Sequence, residues 1–269
     1  MMLHRSALSL PGRAWGTAQR WALAWWRILY LGAVMLVLLL SPSSYGRGTR
    51  HALARHVYLD TAPVLLGFTA LAALISLVLT RIVVVTALSY GLSRYALEMV
   101  IRVLVLELIP LTAALFVAMR CTIPNGTQLA LLRRSGRFAQ LQSRGVDPVR
   151  AEVLPRAVAG VFACITLAAL SCVVALVLAY LGVYGFNLAG LPGYTRMFGQ
   201  VFSPAVTLVF VVKTLLFSLA VALIPLAAGL YGDLGRVRPD VTSSELGGLA
   251  RMFAVLLLIE MGSLMGNYY

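Results

Sequence analysis

The chain has 269 residues, of which 61% are hydrophobic and 12% charged, with a formal net charge of +13 and a mean hydropathy of +0.91. A soluble globular domain carries about a quarter charged residues, so this composition excludes one of any size and predicts a single all-α integral membrane domain, 1–269. The positive charge does not predict a nucleic-acid partner, because the arginines stand between apolar runs and no basic face is interleaved with aromatics outside them.

Residues 1–27 hold Arg5, Arg13, Arg20 and Arg27 together with all four tryptophans, Trp15, Trp21, Trp25 and Trp26. Basic residues and Trp together suit a helix lying among lipid headgroups, and an ordinary cytoplasmic lead-in would read the same way. A signal peptide fits less well, since the apolar core comes late and no A-x-A site follows it. Residues 28–40 are apolar but fall short of the roughly 20 residues a full span needs. Ser41-Pro42-Ser43-Ser44 follows. A re-entrant or elbow helix is therefore expected over 22–40, within an interfacial segment 1–60. Residues 47–60, with Arg47, Arg50, His51 and Arg55, are basic and amphipathic and are expected on the cytoplasmic surface.

Residues 61–80 form the first clear span, and the apolar run continues past Arg81 to Leu88. The second span is 95–119. Residues 120–156 then carry seven arginines against Asp147 and Glu152, a bias that places them in the cytoplasm. Within them, apolar residues at 129, 131, 132, 138 and 141 have helical spacing and predict a short amphipathic helix over 128–141. Gly145 and Asp147-Pro148 break that pattern, and Pro148 can open the next helix. Spans follow at 157–184, 205–231 and 246–266, separated by an external loop, 185–204, and an internal segment, 232–245, with Arg236 and Arg238. Asn267-Tyr268-Tyr269 reads as an interfacial anchor. The expected topology is a cytoplasmic N-terminus, five spans in a core over 61–269, and a C-terminus outside. No internal repeat supports an inverted-repeat transporter.

Five charged groups fall inside the spans: Glu98, Arg102, Glu107, Lys213 and Glu260. Each costs at least about 2.5 kcal/mol unless it finds a partner or water. Glu98 and Arg102 are four apart and read as a local helix ion pair. Glu107 is five residues past Arg102, about 140° around the helix, and must look to another helix. Lys213, the chain's single lysine, lies at a similar depth in a span running the same way and is the expected partner. Such a pair either lines a pathway or simply holds two helices together. Cys121, Cys164 and Cys172 form no C-x-x-C, and His4, His51 and His56 have poor metal spacing, so no metal site is expected. There is no phosphate loop of the G-x-x-x-x-G-K-[ST] kind, so no cofactor is expected in this chain. A polytopic enzyme would need a polar catalytic cluster at one membrane face, and none is legible.

Residues 106–156 carry a spaced set of residues: Glu107, Leu108 and Pro110; Ala113, Ala114 and Leu115; Arg120; Asp147 and Pro148; Pro155 and Arg156. They fall in register, without a gap, with the E-L-G-P, A-A-L-L, Gly-Arg, D-P and P-R pattern of the MlaE family, the permease subunits of ABC transporters that move lipids in the Gram-negative envelope. The chain resembles that family as a divergent member. Ile109, Met119, Gln128, Ala130 and Gly136 stand where the family has Gly, Gly, an acid, Gly and Glu, so its contact with the ATPase is expected to differ in detail.

The resemblance implies an elbow helix before five spans, a homodimer in the bacterial inner membrane, and an ABC ATPase subunit that binds the ATP and Mg. It also implies a periplasmic MCE-domain lipid-binding protein as partner, phospholipid as substrate and a part in outer-membrane lipid asymmetry. The family carries an acid and a lysine near its lipid pocket at the positions of Glu107 and Lys213, and Glu260 matches an Asp in its last span. The segment between the second and third spans becomes the coupling segment. Leu129, Leu131, Leu132 and Phe138 are the candidate ATPase contacts, with Arg133, Arg134 and Arg137 beside them and Asp147 and Pro148 closing it. Arginines that only fix topology or touch anionic headgroups would give the same loop. A membrane scaffold that kept the fold and lost ATPase coupling is the other reading of the chain.

Overall fold

The computed structural model describes residues 10–41, 47–91, 93–232 and 241–268, and every regular element among them is a helix. This is what the hydropathy demands: in hydrocarbon each backbone N–H and C=O must find its partner within its own segment. The helices are α1 (Leu10–Leu40), α2 (Arg47–Ser89), α3 (93–134), α4 (Arg137–Ser143), α5 (149–184), α6 (Leu191–Val201), α7 (Pro204–Tyr231) and α8 (Val241–Tyr268), with a 3-10 turn at Leu188–Gly190. Among the described residues, six stretches are long and apolar enough to cross a membrane, lying in α1, α2, α3, α5, α7 and α8. Pro42-Ser43-Ser44, Arg236, Arg238 and Tyr269 lie outside the described residues.

The expected spans are all present, but they are longer than hydropathy drew them. The stretch Trp21–Leu40 in α1 has the length and composition of a span, where a shorter elbow was expected. The basic segment from Arg47 and the span after it are one 43-residue helix, and Arg81 is exposed within it. The external loop 185–204 is also largely folded. Gly185, at φ +62, ends α5, and α6 returns against the bundle with the Tyr194 hydroxyl donating to the Leu176 carbonyl at 2.9 Å.

The largest correction concerns the coupling segment. No separate helix spans 128–141: α3 runs unbroken from Ser93 to Arg134, Gly136 turns the chain at φ +77, and α4 is a separate short helix. The apolar pattern at 129, 131, 132, 138 and 141 is continuous in sequence but straddles a left-handed residue that only glycine adopts at low cost.

The long helices carry three π-helical stretches, Ile101–Leu108, Ala118–Thr122 and Val149–Val153. Each ends two residues before a proline: Pro110, Pro124 and Pro155. A proline inside a helix lacks the N–H for the bond four residues back, and its ring crowds that carbonyl. A wider turn just ahead relieves both, so the chain passes these prolines without breaking the helix. Pro63 and Pro225 sit inside α2 and α7 without such a stretch.

Two apolar cores divide the bundle. One gathers Phe68, Val117, Leu129, Leu167, Phe217 and Met252 with their neighbours, and the other gathers Leu97, Ile101, Leu104, Val105, Ala175 and Val201. Glu107 and Lys213 fall at the boundary between the two. The arginine bias along the chain gives a direct expectation. The native cysteines Cys121, Cys164 and Cys172 are all buried, while Arg137 and Arg196 are both exposed. Arg137→Cys is expected to react with a membrane-impermeant maleimide only from the cytoplasmic side, and Arg196→Cys only from outside. The reverse pattern would reject this topology.

Candidate functional site

Three helices bring one ammonium and two carboxylates together. Glu107 sits near the end of the π-helical stretch of α3, Lys213 near the middle of α7, and Glu260 in the last third of α8. The Lys213 ammonium contacts the Glu107 carboxylate directly and lies 2.9 Å from Glu260 Oε2. It also donates to the Leu106 carbonyl at 3.3 Å and stands 5.7 Å from the centre of the Phe217 ring, one turn along α7. Lys213 is only 2% exposed, so this is a desolvated network rather than a surface pair. The expected pairing of Glu107 with Lys213 is therefore found, and Glu260 joins the same ammonium.

Asn267 is the residue that sequence reading placed elsewhere. Its amide nitrogen donates to Glu107 Oε1 at 3.3 Å, so it extends the network by one polar contact. The signal was available, since Asn267 is seven residues past Glu260, about two helical turns, and so lies on nearly the same face. Glu98 and Arg102 take no part in this network. They pair with each other at 3.0 Å, partly exposed, as i,i+4 spacing predicts.

The coupling candidates separate by exposure. Leu129 is fully buried in the chain's own core, so it is not available to a partner. Its depth follows from the continuity of α3, which carries it back against α7. Phe138 is half-buried and packs on the same core, and Leu132 is half-buried. Leu131 is 59% exposed, and Arg134 and Arg137 are exposed beside it, the latter donating to Gln140 at 3.3 Å.

Arg133 turns inward and donates to the Leu230 carbonyl, while Arg27 of α1 donates to the Tyr231 carbonyl at 3.3 Å and lies over the Tyr231 ring. Two guanidinium groups thus satisfy carbonyls at the C-terminal end of α7, where the helix dipole favours positive charge. Asp147 Oδ1 accepts from the Val149 N–H at 3.0 Å, and Pro148 is buried, so this dipeptide starts α5. Arg156, also buried, pairs with Glu152 at 2.7 Å one turn back.

Charges buried between helices of a membrane bundle are costly and mark pathways more often than not. A bundle of membrane-length helices with buried charges of this kind, and a folded polar segment at one end, is that of a multi-pass membrane protein. The family model for Permease MlaE matches residues 53–264, most of the chain, and the protein belongs to the MlaE permease family. It is thus of the kind that forms the transmembrane component of an ABC transporter and is not itself catalytic. The match takes in Glu107, Lys213 and Glu260 and begins inside α2, after α1. No curated protein matches the chain.

Proposed function

We propose that this chain is the permease subunit of an ABC transporter that moves phospholipid between the bacterial inner membrane and periplasmic MCE-type carrier proteins. Two copies pair around the lipid path, each held against an ATPase subunit that binds the ATP and Mg. The N-terminus is cytoplasmic and the C-terminus periplasmic, with α1 in the role of the elbow.

The observation that carries this reading is the network of Glu107, Lys213 and Glu260 in a chain of this family. Acyl tails need only apolar walls, which these helices supply throughout. A headgroup needs a polar station partway along, and the network is placed at the boundary of the two apolar cores. Network and walls together suit an amphiphile better than an ion or a sugar. Glu98 and Arg102, farther toward the α6 end of α3, are a second polar point on the same route.

Co-purification tests the proposal. The expected result is an ATPase with a phosphate loop, an MCE-domain protein and phospholipid recovered with the chain from detergent-solubilised membranes. Recovery of the folded chain with no ATPase under any condition would favour the scaffold reading, which draws on Gln128 in place of the family's acid and on Ile109, Met119 and Ala130 in place of its glycines.

A further inference from the structure

At one helix crossing in this bundle, backbone meets backbone. A Cβ added to Gly126 of α3 would lie 2.5 Å from the Pro225 carbonyl oxygen of α7 and 3.0 Å from its carbon. A Cβ added to Gly229 would overlap the Gly126 carbonyl. Both obstacles are backbone and cannot swing aside. The same few residues of α3 hold two further helices. A Cβ at Gly160 of α5 would stand 2.8 Å from the Thr122 methyl. The Asn125 amide donates to the Asp60 carboxylate of α2 at 2.8 Å, and the Cys121 thiol donates to the Asp60 carbonyl at 3.2 Å. Residues 121–126 are thus tied at once to α2, α5 and α7, where the π-helical stretch Ala118–Thr122 gives way to regular α-helix.

Contacts made through long side chains let helices slide, because rotamers adapt. Small residues in a membrane interface bring backbones together and remove that slack. Shear between packed helices needs side chains that can readjust, and where Gly126 and Gly229 approach the facing helix the nearest atoms are backbone. Lys213 lies twelve residues before Pro225, about 18 Å along the same helix.

We infer that Asp60, Asn125, Gly126 and Gly229 form a clasp that makes the last turns of α3 and α7 one rigid body, so that movement imposed on residues 131–148 is carried into α7 and to Lys213. The inference rests on the proposed function only for the source of that movement. These four are positioning residues, and the rigidity belongs to the chain itself.

A charge swap tests it, with hydrogen exchange as the readout on the full-length chain in lipid nanodiscs. Asn125→Asp sets a second carboxylate against Asp60. The combination Asp60→Asn with Asn125→Asp restores one carboxylate facing one amide. Amide exchange over 123–134 and over 224–231 is expected to rise together by about tenfold in Asn125→Asp and to return together in the swap. Asp60→Asn alone, which keeps an amide in place, is expected to give the same joint rise to a smaller extent and serves if Asn125→Asp does not fold. A rise confined to 123–134, or none in either segment, would overturn the clasp. In preparations that retain the ATPase, phospholipid moved per ATP should fall in Asn125→Asp and recover in the swap. Absence of the ATPase from the wild-type preparation would count against the proposed function, while the exchange result would still decide the clasp.

Discussion

Lys213→Met is expected to be the most damaging single change in the bundle, worse than Glu107→Leu or Glu260→Leu. A simple two-residue pair would predict equal losses from either side, with near recovery in the double replacement. The network is not a simple pair, because one ammonium serves two carboxylates. Removing Lys213 leaves two buried carboxylates facing each other. Breaking a buried ion pair by deleting one partner costs roughly 3–5 kcal/mol, and here the like charges add to that. Glu107→Leu leaves Lys213 with Glu260, a balanced pair, so its cost should fall well below that range. Glu260→Leu leaves Lys213 with Glu107, which Asn267 also holds, and should be the mildest of the three. The double change Glu107→Leu with Lys213→Met still strands Glu260 and should not recover. The triple change that also carries Glu260→Leu should regain much of the assembly, since replacing a whole buried charge group by apolar residues is often close to neutral. Thermal stability of the purified protein in detergent checks this order. Equal losses for Lys213→Met and Glu107→Leu, with recovery in their double, would reduce the network to a two-residue pair. Phospholipid recovered per protein then separates pathway from scaffold: if the triple variant folds but carries little lipid, the charges serve the headgroup.

The pairing of Glu107 with Lys213 was legible because it rests on geometry that sequence preserves. Two helices running the same way, with a charge at similar depth in each, leave few other partners. Asn267 was assigned to the water interface because a polar residue beside terminal tyrosines normally marks it, although its seven-residue spacing from Glu260 already set it on nearly the same helical face. The helix ends were harder for a different reason. Hydropathy reports where the bilayer stops, not where the hydrogen-bond ladder stops, so α3 was cut at Arg120 although its backbone continues to Arg134. The arginines there signal sidedness, and a helix can pass from lipid to water without breaking. Pro110, Pro124 and Pro155 look like breaks in the sequence, but each follows a π-helical stretch that lets the helix pass. The clasp was not legible at all. Gly126 and Gly229 are single glycines in separate helices, and their need for bare backbone arises only when the two helices cross.

Leu131→Asp is expected to release the ATPase while the chain inserts and folds normally, whereas Phe138→Asp should harm the chain itself. Sequence spacing treats these residues as equivalent faces of one helix. They belong to two helices with different surroundings. Leu131 is on the last turns of α3 with most of its side chain in solvent, and Arg134 and Arg137 are exposed next to it. Phe138 lies on α4 and packs against the core, so a carboxylate there must leave an apolar contact and carry a charge into it. Leu132, half-buried, should fall between the two. An apolar residue at the centre of a docking surface is worth about 2 kcal/mol or more, roughly a thirtyfold loss of affinity on replacement. Retained ATPase after affinity purification, measured against membrane expression and melting temperature, separates the cases. The docking role of this end of α3 requires Leu131→Asp to lose ATPase with expression and melting temperature unchanged. If Leu131→Asp is silent and ATPase is lost only when several exposed arginines are removed together, the segment serves sidedness or anionic headgroups. On the proposed function, the expected ATPase grip would then lie in α4 or the turn at Gly145 to Pro148, where Val146 and Asp147 are also exposed.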